Sequence, residues 1–453
     1  MSGPREEVCI VGAGLAGCLM ACFLAKRSYR VRLFEARPDR RKQSVAAGRS
    51  INLSLSDRGV VALRAARIFD QIEPYLVKMP GRMIHPLNGD AFYQSYGRKP
   101  NELHYSLSRG GLNDILLSAA EAAGDVSIHF SQKCVGLDFG PSTLSVEDQE
   151  SGQKSSLRFA RVLACDGAPS AVREAFHKLP NFKCAEEQLG HSYKELCIPA
   201  DSQGQYRIEK EALHIWPRGD FMLIALPNAD GSFTVTLFLP NSGEWSFESL
   251  KDKSRLEEFF KKFFPDCIEL ISDYKKDFFT NPTGHLGTIR SFPWHYEDKV
   301  LMLGDAAHAV VPFHGQGMNC SFEDCLELDR CLDEFSGDWA RAFVETEKRR
   351  KPNADAIAQM AIENYIEMRD AVRDPKFHLR KKLEWALEEK FPDRFLSRYS
   401  MVMFYHQYPY AEALERGKLQ SEILQDLTAH IDELSKVDWI QAQSLIVNRL
   451  STL

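Results

Sequence analysis

Three glycines near the start of the chain have the spacing of a nucleotide-binding turn. Gly12, Gly14 and Gly17 follow the apolar run Val8–Val11 in a G-x-G-x-x-G pattern. The first glycine permits a tight turn, the second lets a pyrophosphate approach the backbone, and the third lets a helix pack against the strand. A helix from about Leu15 would offer its free N-terminal amides to the phosphates. The pattern predicts a dinucleotide site, although a glycine-rich turn of another βαβ unit is the alternative.

An acidic residue at the right distance strengthens this interpretation. Glu35 ends a second predicted strand, about 20 residues beyond the glycines, where a carboxylate can accept hydrogen bonds from a ribose. The turn does not distinguish NAD from FAD, but its position near the N-terminus favours FAD. The residues predicted to contact the nucleotide here are Gly12, Ala13, Gly14, Leu15, Ala16, Gly17, Glu35, Ala36 and Arg37.

Two further motifs follow in the chain. CDGAPSAVR contains Asp166 and Gly167, and LGDAAHAVVPFHGQGMN contains Asp305 and the glycines Gly315 and Gly317. In this order, the three motifs resemble those of the class A FAD-dependent aromatic hydroxylases, which are single-component flavoprotein monooxygenases. The resemblance implies non-covalent FAD, NADPH as a transient co-substrate, and O2. A second dinucleotide-binding motif and a C-x-x-C pair are both missing, which argues against a disulfide reductase.

The chemistry of these residues agrees with a flavin. The Asp305 carboxylate can accept from ribityl hydroxyls, and a helix N-terminus at Gly315–Asn319 can stabilise the ring edge that becomes negative on reduction. Asp305 could instead cap a helix, Asp166 could belong to a plain turn, and Ser54 could line the flavin or lie near a helix capped by Ser56. His308 is interpreted as structural. The remaining predicted cofactor contacts are Ser54, Arg109, Val135, Asp166, Gly304, Asp305, Pro312, Gly315, Gln316, Gly317, Met318 and Asn319.

A narrower resemblance comes from seven stretches of the sequence. They are GRSINL (48–53), GRMIH (81–85), SYGR (95–98), SRGGLN (108–113), VVPFHGQGMNCSFEDC (310–325), ENYIEMR (363–369) and RYSMVMF (398–404). These stretches resemble the kynurenine 3-monooxygenase family over about residues 5–415. The resemblance implies hydroxylation of L-kynurenine to 3-hydroxykynurenine through a C4a-hydroperoxyflavin, with no catalytic protein base assigned. The alternatives are another class A hydroxylase acting on a different aromatic acid, or a flavin redox sensor or scaffold.

The same resemblance implies a substrate site. Arg82 and Tyr96, fourteen residues apart, would hold the amino-acid carboxylate. Asn364 and Tyr399 would complete the pocket, and Phe313 would lie in the loop below the flavin. A guanidinium can contact a carboxylate with two hydrogen bonds, and phenols can act as donors beside an aromatic wall. Taken alone, Arg82 could form a surface ion pair and Tyr96 could be a sheet-edge aromatic. His314 departs from the second aromatic of many members and could contact substrate or flavin.

Composition limits the remaining possibilities. The chain has 453 residues and a formal net charge of −6, which offers no electrostatic case for nucleic acid. Eleven cysteines with irregular spacing indicate free thiols in a reducing compartment. No signal peptide and no membrane-spanning run are expected, and the polar tail differs from the membrane anchor of the animal relatives on the mitochondrial outer membrane. We therefore expect a soluble, cytoplasmic protein whose tail suits helix packing or homodimer contacts.

These motifs require an α/β fold. We expect a Rossmann-like FAD-binding domain with a parallel sheet, an interleaved antiparallel β-sheet domain for substrate, and a helical C-terminal part. The predicted FAD-binding domain is discontinuous, with segments 1–80, 105–185 and 296–340. The predicted substrate domain comprises residues 81–104 and 186–295, and residues 341–453 form the helical region.

Overall fold

The structure, a computed structural model, describes residues 6–42, 52–271, 273–370 and 375–453. Residues 48–51 of the GRSINL motif lie outside these ranges. The strands, numbered in chain order, are β1 (Glu7–Val11), β2 (Arg30–Phe34), β3 (Asn52–Leu55), β4 (Val77–Met79), β5 (Gly81–Ile84), β6 (Phe92–Ser95), β7 (His104–Ser108), β8 (Val126–His129), β9 (Gln132–Asp138), β10 (Thr143–Asp148), β11 (Lys154–Arg158), β12 (Arg161–Ala164), β13 (Lys183–Ile198), β14 (Leu213–Pro217), β15 (Met222–Pro227), β16 (Phe233–Pro240), β17 (Thr283–Phe292), β18 (His295–Tyr296), β19 (Val300–Met302) and β20 (His308–Ala309).

The helices are numbered in the same way. They are α1 (Leu15–Lys26), α2 (Asp57–Ala65), α3 (Phe69–Ile72), α4 (Arg109–Ala122), α5 (Ala171–Phe176), α6 (Lys253–Phe263), α7 (Tyr274–Thr280), α8 (Gly317–Glu334), α9 (Trp339–Asp370), α10 (Pro375–Lys390), α11 (Arg398–Met403), α12 (Tyr410–Thr428) and α13 (Trp439–Arg449). In the described part of the chain, no helix combines the length and apolarity that crossing a bilayer would require.

A six-stranded sheet forms the nucleotide-binding body, in the order β18-β19-β12-β1-β2-β8. All neighbouring pairs are parallel except β18–β19, which is antiparallel. Strand β1 is central and its residues Val8 to Val11 are buried, as expected for a parallel strand covered on both faces. The sheet and the surrounding helices share one large apolar core that includes residues of α1, α4 and α8. The predicted α/β fold class is therefore confirmed.

An eight-stranded sheet stands beside it, in the order β20-β17-β13-β16-β15-β14-β5-β6. The sequences PRGD (217–220) and NADGS (228–232) are typical of hairpin turns, and they connect the antiparallel pairs β14–β15 and β15–β16. The sheet is not wholly antiparallel, because β5 pairs with β14 in parallel. One face packs on α6 and α7. On the other face, Ile215, Met222 and Phe238 contact Phe313 and Tyr365, so this face reaches the predicted flavin loop.

The structure differs from the sequence prediction in several elements. The sequence predicts a strand over Tyr206–Ile215, but the strand in this region is β14, which starts at Leu213. Strands β13 and β17 are not predicted by the sequence. The sequence predicts a helix over Leu419–Leu434, whereas α12 starts at Tyr410 and ends at Thr428. Helices α10, α12 and α13 share a separate apolar core. In each case, the existence or the bounds of the element depend on pairing or packing between segments that are distant in the sequence.

Candidate active site

The first glycine turn has the shape that its sequence predicts. Gly12 has a φ of +96°, and a Cβ at this position would overlap the carbonyl of Cys165. A Cβ on Gly17 would overlap the carbonyl oxygen of Gly12, so α1 can approach β1 only with glycine there. Around Gly14, in contrast, nothing lies within 4 Å of an added Cβ. There is therefore space for a pyrophosphate beside Gly14. The first turn of α1 also has no side-chain cap and no acidic residue, so its backbone amides are available to an anion.

A cavity of about 260 Å³ lies next to this turn. Glu35 lies in its wall, and its Oε2 accepts a hydrogen bond of 2.9 Å from the Ala13 amide. Burial opposes ionisation of Glu35, but the hydrogen bonds and charge of Arg37 outweigh it and lower the pKa. Glu35 is therefore an ionised acceptor beside open space, as ribose recognition requires. The cavity is lined by Ala13, Glu35, Arg37, Pro38, Arg40, Asn113, Leu117 and Phe130.

Asp305 follows β19 in a short 3-10 turn, Gly304–Ala306. No described residue donates a hydrogen bond to its carboxylate, and it caps no helix. Burial raises its pKa, while the charges of Arg109 and His308 act in the opposite direction. A half-buried carboxylate without a donor suits a ligand that brings hydroxyl groups. Asp305 therefore fits the ribityl chain of FAD.

The CDGAPSAVR motif supports this turn from the side. Arg173 is buried and donates to the carbonyl of Ala306 at 3.1 Å, as well as to the carbonyl of Ala168. Asp166 accepts from the Ser170 hydroxyl at 2.6 Å and from the Val172 amide. The Asp166 side chain therefore stabilises the N-terminus of α5. Its backbone lies against the turn at Gly12.

The N-terminus of α8 forms the other end of the predicted flavin site. Gly315 has a φ of +64°, and Gln316 precedes the helix without capping it through its side chain. Asn319 donates to the carbonyls of Ser54 and Gly315 at 2.8 and 2.9 Å, and its Oδ1 accepts from the Ser56 amide. The side chain of Gln316 is fully buried. Only the backbone of Gln316 is therefore available to contact a flavin ring.

The other predicted cofactor residues have varied environments. Ala16 of α1 packs near Gly304, which brings the first and third motifs together. Arg109 is exposed at the start of α4, whereas Met318 is buried in α8. Val135 lies on β9 with 38% of its surface exposed and is not among the residues that line the cavity at Glu35. Pro312 begins the short turn that leads to Gly315.

Four of the six predicted substrate residues lie near one another although they come from three distant segments. Tyr96 stacks on Tyr399 with ring centroids 5.5 Å apart, and Tyr399 stacks on His314 at 5.7 Å. Burial raises the pKa of Tyr96 to about 12 and raises that of Tyr399 well above its usual value, and the charge of Arg82 partly opposes both shifts. Arg82 is therefore near enough for its charge to act on both phenols, which stay protonated donors. The Arg82 Nε donates to Gln94 Oε1 at 3.0 Å.

The loop that carries Phe313 is held by Asn364. The Asn364 amide donates to the carbonyl of Phe313 at 2.6 Å. The ring of Phe313 packs against Phe238 and Tyr365, at centroid distances of 5.0 and 4.4 Å. Phe313 and Asn364 thus form one wall between the sheet face and α9.

Two buried histidines lie in this region, and only one was predicted. Burial lowers the pKa of His314 to about 4 and that of His104 to about 3, so both rings are neutral. His104 lies 4.6 Å from Tyr96 between ring centroids, and its Nδ1 is 2.6 Å from the Ser54 hydroxyl. Nothing in the sequence around His104 indicated a site, because its neighbours Tyr96 and His314 are close only in the fold.

His308 has a structural environment, as predicted. Its Nε2 is 2.6 Å from the carboxylate of Asp324, which also accepts from the Gly304 amide and from Arg350. Cys320 is close enough to complete a set of three metal ligands. However, the Arg350 guanidinium contacts both Asp324 and Cys320, which fills the position of a cation. This cluster instead holds the turn that contains Asp305, through the Gly304 amide.

Comparisons with known proteins agree with this geometry. The FAD binding domain family matches residues 5–190 and 287–361, more than half of the chain. The kynurenine 3-monooxygenase of Myxococcus xanthus (strain DK1622) is 48% identical over 452 residues, which cover 100% of this chain and 97% of that relative. The kynurenine 3-monooxygenase of Stenotrophomonas maltophilia (strain K279a) is 45% identical, covering 99% and 98%.

Solved structures show the same fold at much lower identity. The tetrameric form of 2-methyl-3-hydroxypyridine-5-carboxylic acid oxygenase has a TM-score of 0.66 at 21% identity and covers 82% of this chain and 95% of its own. The p-nitrophenol 4-monooxygenase of Pseudomonas putida DLL-E4 has a TM-score of 0.64 at 18% identity, covering 93% and 97%. From its sequence relatives and its matched FAD-binding domain, the chain belongs to the kynurenine 3-monooxygenase family.

Proposed function

We propose that this monooxygenase hydroxylates L-kynurenine to 3-hydroxykynurenine, using FAD, NADPH and O2. The observation that carries the proposal is the convergence of Arg82, Tyr96, Tyr399 and His314 on one aromatic site. The positive charge of Arg82 and two protonated phenols suit a carboxylate, while Phe313 and the sheet face suit an aryl ring. L-Kynurenine carries both groups.

The site residues have separate tasks in this proposal. The turn at Gly14 and Glu35 would hold the pyrophosphate and adenosine ribose, Asp305 the ribityl chain, and the N-terminus of α8 the ring. When bound, FAD supplies the activation of oxygen. The protein positions the substrate and keeps water away, and the ring amine of kynurenine itself activates the neighbouring carbon. No protein base is required for that activation.

Arg82 and its neighbours would fix the direction of the substrate. With the carboxylate at Arg82, the aryl ring extends along Tyr96 and Tyr399 towards His314 and the turn at Gly315. This direction brings the ring to the flavin end of the site. The proposed roles are carboxylate binding for Arg82, Tyr96, Asn364 and Tyr399, and ring packing or polar contact for Phe313 and His314.

The proposal includes the compartment. All eleven cysteines are free, and nine of them are buried. Free thiols in this number support a reducing cytoplasm.

One experiment tests the activity directly. Purified holoenzyme is mixed with NADPH and L-kynurenine under air, and the product is identified by mass and by comparison with authentic 3-hydroxykynurenine. We expect a product 16 mass units heavier than the substrate, since one oxygen atom is inserted. A panel of other aromatic acids is run in parallel. NADPH consumption that is indifferent to kynurenine, or hydroxylation of another acid in preference to it, would contradict the proposal.

A further inference from the structure

Three imidazole nitrogens are buried without a hydrogen-bond partner among the described residues, and two of them matter here. They are Nε2 of His104 and Nδ1 of His314, and both rings belong to the aromatic site. Both side chains are more than nine-tenths buried. Because a buried polar atom that lacks a partner is costly, its presence in a site indicates a ligand atom that completes it.

His104 lies between the two ends of the proposed substrate site. Its ring contacts Tyr96, which lies within range of the Arg82 charge at the carboxylate end. On the other side, its Nδ1 meets the hydroxyl of Ser54. The Ser54 carbonyl accepts from Asn319 in the first turn of α8. His104 therefore lies on the path from the carboxylate end to the turn that would face the flavin.

The hydrogen bond to Ser54 can form in either neutral tautomer of His104, and we take the one in which Nδ1 carries the proton. When the Nδ1–H donates to the Ser54 hydroxyl, the Nε2 lone pair is left as an acceptor. Burial, with a smaller contribution from His314, keeps the ring neutral by lowering its pKa to about 3. A neutral acceptor at this position calls for a ligand N–H or O–H donor.

We propose that His104 Nε2 accepts a hydrogen bond from the ring amine of the substrate, which makes His104 a specificity-determining residue. The inference rests on the proposed function, because it requires kynurenine to bind with its carboxylate at Arg82. The carbon to be hydroxylated must face the flavin, and the ring amine is on the adjacent carbon. A polar group beside the flavin-facing turn is therefore placed to meet that amine.

The test compares two ligands on two proteins. L-Kynurenine and 3-benzoylalanine, which has hydrogen in place of the ring amine, are titrated into the wild-type holoenzyme and the His104→Leu variant. We expect wild type to prefer kynurenine about tenfold, equivalent to about 1.4 kcal/mol. In His104→Leu the preference should fall to about twofold or less, through a loss for kynurenine alone. His104→Gln, which keeps an acceptor oxygen, should retain part of the preference.

A second histidine provides the matched control. His85 is half-buried and neutral, but its ring stacks on Trp216 at a centroid distance of 4.1 Å, on the side of the sheet opposite Arg82. His85→Leu should leave the preference for kynurenine unchanged. FAD content and the thermal midpoint are recorded for each variant, so that a loss of fold is separated from a loss of discrimination.

The outcomes are distinct. Equal weakening of both ligands in His104→Leu, or no weakening of either, would overturn the amine contact. If His104→Leu does not fold, His104→Gln and Ser54→Ala decide the question. Ser54→Ala removes the acceptor of the Nδ1–H and should lower the preference partially, so an unchanged preference in both variants would also overturn the proposal. If wild type forms no hydroxylated kynurenine, the proposed function fails instead, independently of His104.

Discussion

Arg82 carries the positive charge that would neutralise the substrate carboxylate. Among the described residues its side-chain partner is the neutral Gln94, with no ion pair there for the substrate to displace. We predict that Arg82→Met weakens kynurenine binding by about 30-fold to several thousand-fold, because losing one partner of a buried charge pair costs about 2–5 kcal/mol. Arg82→Lys should recover only part, since an ammonium does not reproduce the planar guanidinium. Substrate titration with flavin fluorescence measures the effect.

The control for this prediction is another arginine of the same sheet. Arg290 on β17 pairs with the exposed Glu187 at 3.1 Å. Arg290→Met should leave kynurenine affinity within about twofold, because exposed ion pairs contribute little. Unchanged affinity in Arg82→Met would remove Arg82 from the substrate site.

Asp305 offers an acceptor that no described residue uses. We predict that Asp305→Ala leaves a folded protein whose FAD affinity is lower by about ten- to a hundredfold, because hydrogen bonds to a charged group contribute about 1.5–3 kcal/mol. Titration of the deflavinated protein with FAD measures this change, and circular dichroism checks the fold. Asp298→Ala is a suitable control. Asp298 lies before β19, at the opposite end of that strand from Asp305, and its carboxylate pairs with Arg161. Full flavin affinity in Asp305→Ala would contradict the assignment.

Some residue roles could be predicted from the sequence and others could not. Gly12, Gly14 and Gly17 act through their own backbone, so their spacing alone carries the information. Gln316 lies in an equally recognisable motif, but its side chain is directed into the protein by Tyr410. His104 has no local signal, because its neighbours come from elsewhere in the fold.

At the scale of elements, the start of α12 is attached to the start of α8. The Tyr410 hydroxyl donates to Gln316 Oε1 at 2.8 Å, and the Arg58 guanidinium lies 3.9 Å above the Tyr410 ring. Arg58 also donates to the carbonyls of Met401, Val402 and Tyr408. Since Tyr399 lies on α11 in this same segment, the substrate side and the flavin side of the site share one attachment.

We predict that Tyr410→Phe loosens this attachment without removing it. The ring and its contact with Arg58 remain, and only the hydroxyl that orients Gln316 is lost, at a cost of about 0.5–1.5 kcal/mol. We expect a shifted visible spectrum of the bound flavin and less product per NADPH consumed. Tyr206→Phe is the control, because its hydroxyl donates to the Asn228 carbonyl on the substrate sheet. A wild-type spectrum together with a wild-type product yield in Tyr410→Phe would contradict this role.

Elements were predictable where their pattern is local. Strand β1 and helix α1 both have an apolar pattern, and glycines mark the turn between them. Strand β13 has an exposed, charged first half and a register shift between Gln188 and Ser192, so its pairing with β17 has no local signature. The start of α12 is set by the burial of Tyr410 against α8 and Arg58, which the sequence does not reveal.

At the scale of the whole molecule, three neutral histidines make stability depend on pH. Burial is the main cause that lowers the pKa of His85 and His314 to about 4 and that of His104 to about 3. Below pH 6.5 the unfolded chain binds protons on these rings that the folded protein does not bind. Stability therefore falls as the pH decreases through this region. Glu388 opposes the trend, since burial raises its pKa to about 7 and the folded protein gains its proton first.

We predict that the free energy of unfolding decreases between pH 6.5 and 5.5, and that each histidine that stays neutral in the folded protein contributes up to about 1.4 kcal/mol per pH unit to this slope. His104→Gln removes one of the three histidines and should reduce this slope by up to about 1.4 kcal/mol per pH unit. Urea unfolding at the two pH values measures the slope. An identical slope in wild type and His104→Gln would show that His104 is not buried in the neutral form.

The late position of β19 in the chain has a consequence for synthesis. Strand β12 ends at Ala164 and its neighbour β19 begins at Val300, so at about 5–20 residues per second the second strand leaves the ribosome on the order of ten seconds after the first. During this interval the backbone groups of Val162 to Ala164 form an unpaired strand edge, which can pair with other nascent chains and lead to aggregation. The turn that would bind the adenosine half of the cofactor is translated early. Asp305 and α8, which would bind the flavin half, are translated much later. Cofactor loading is thus tied to the last third of translation.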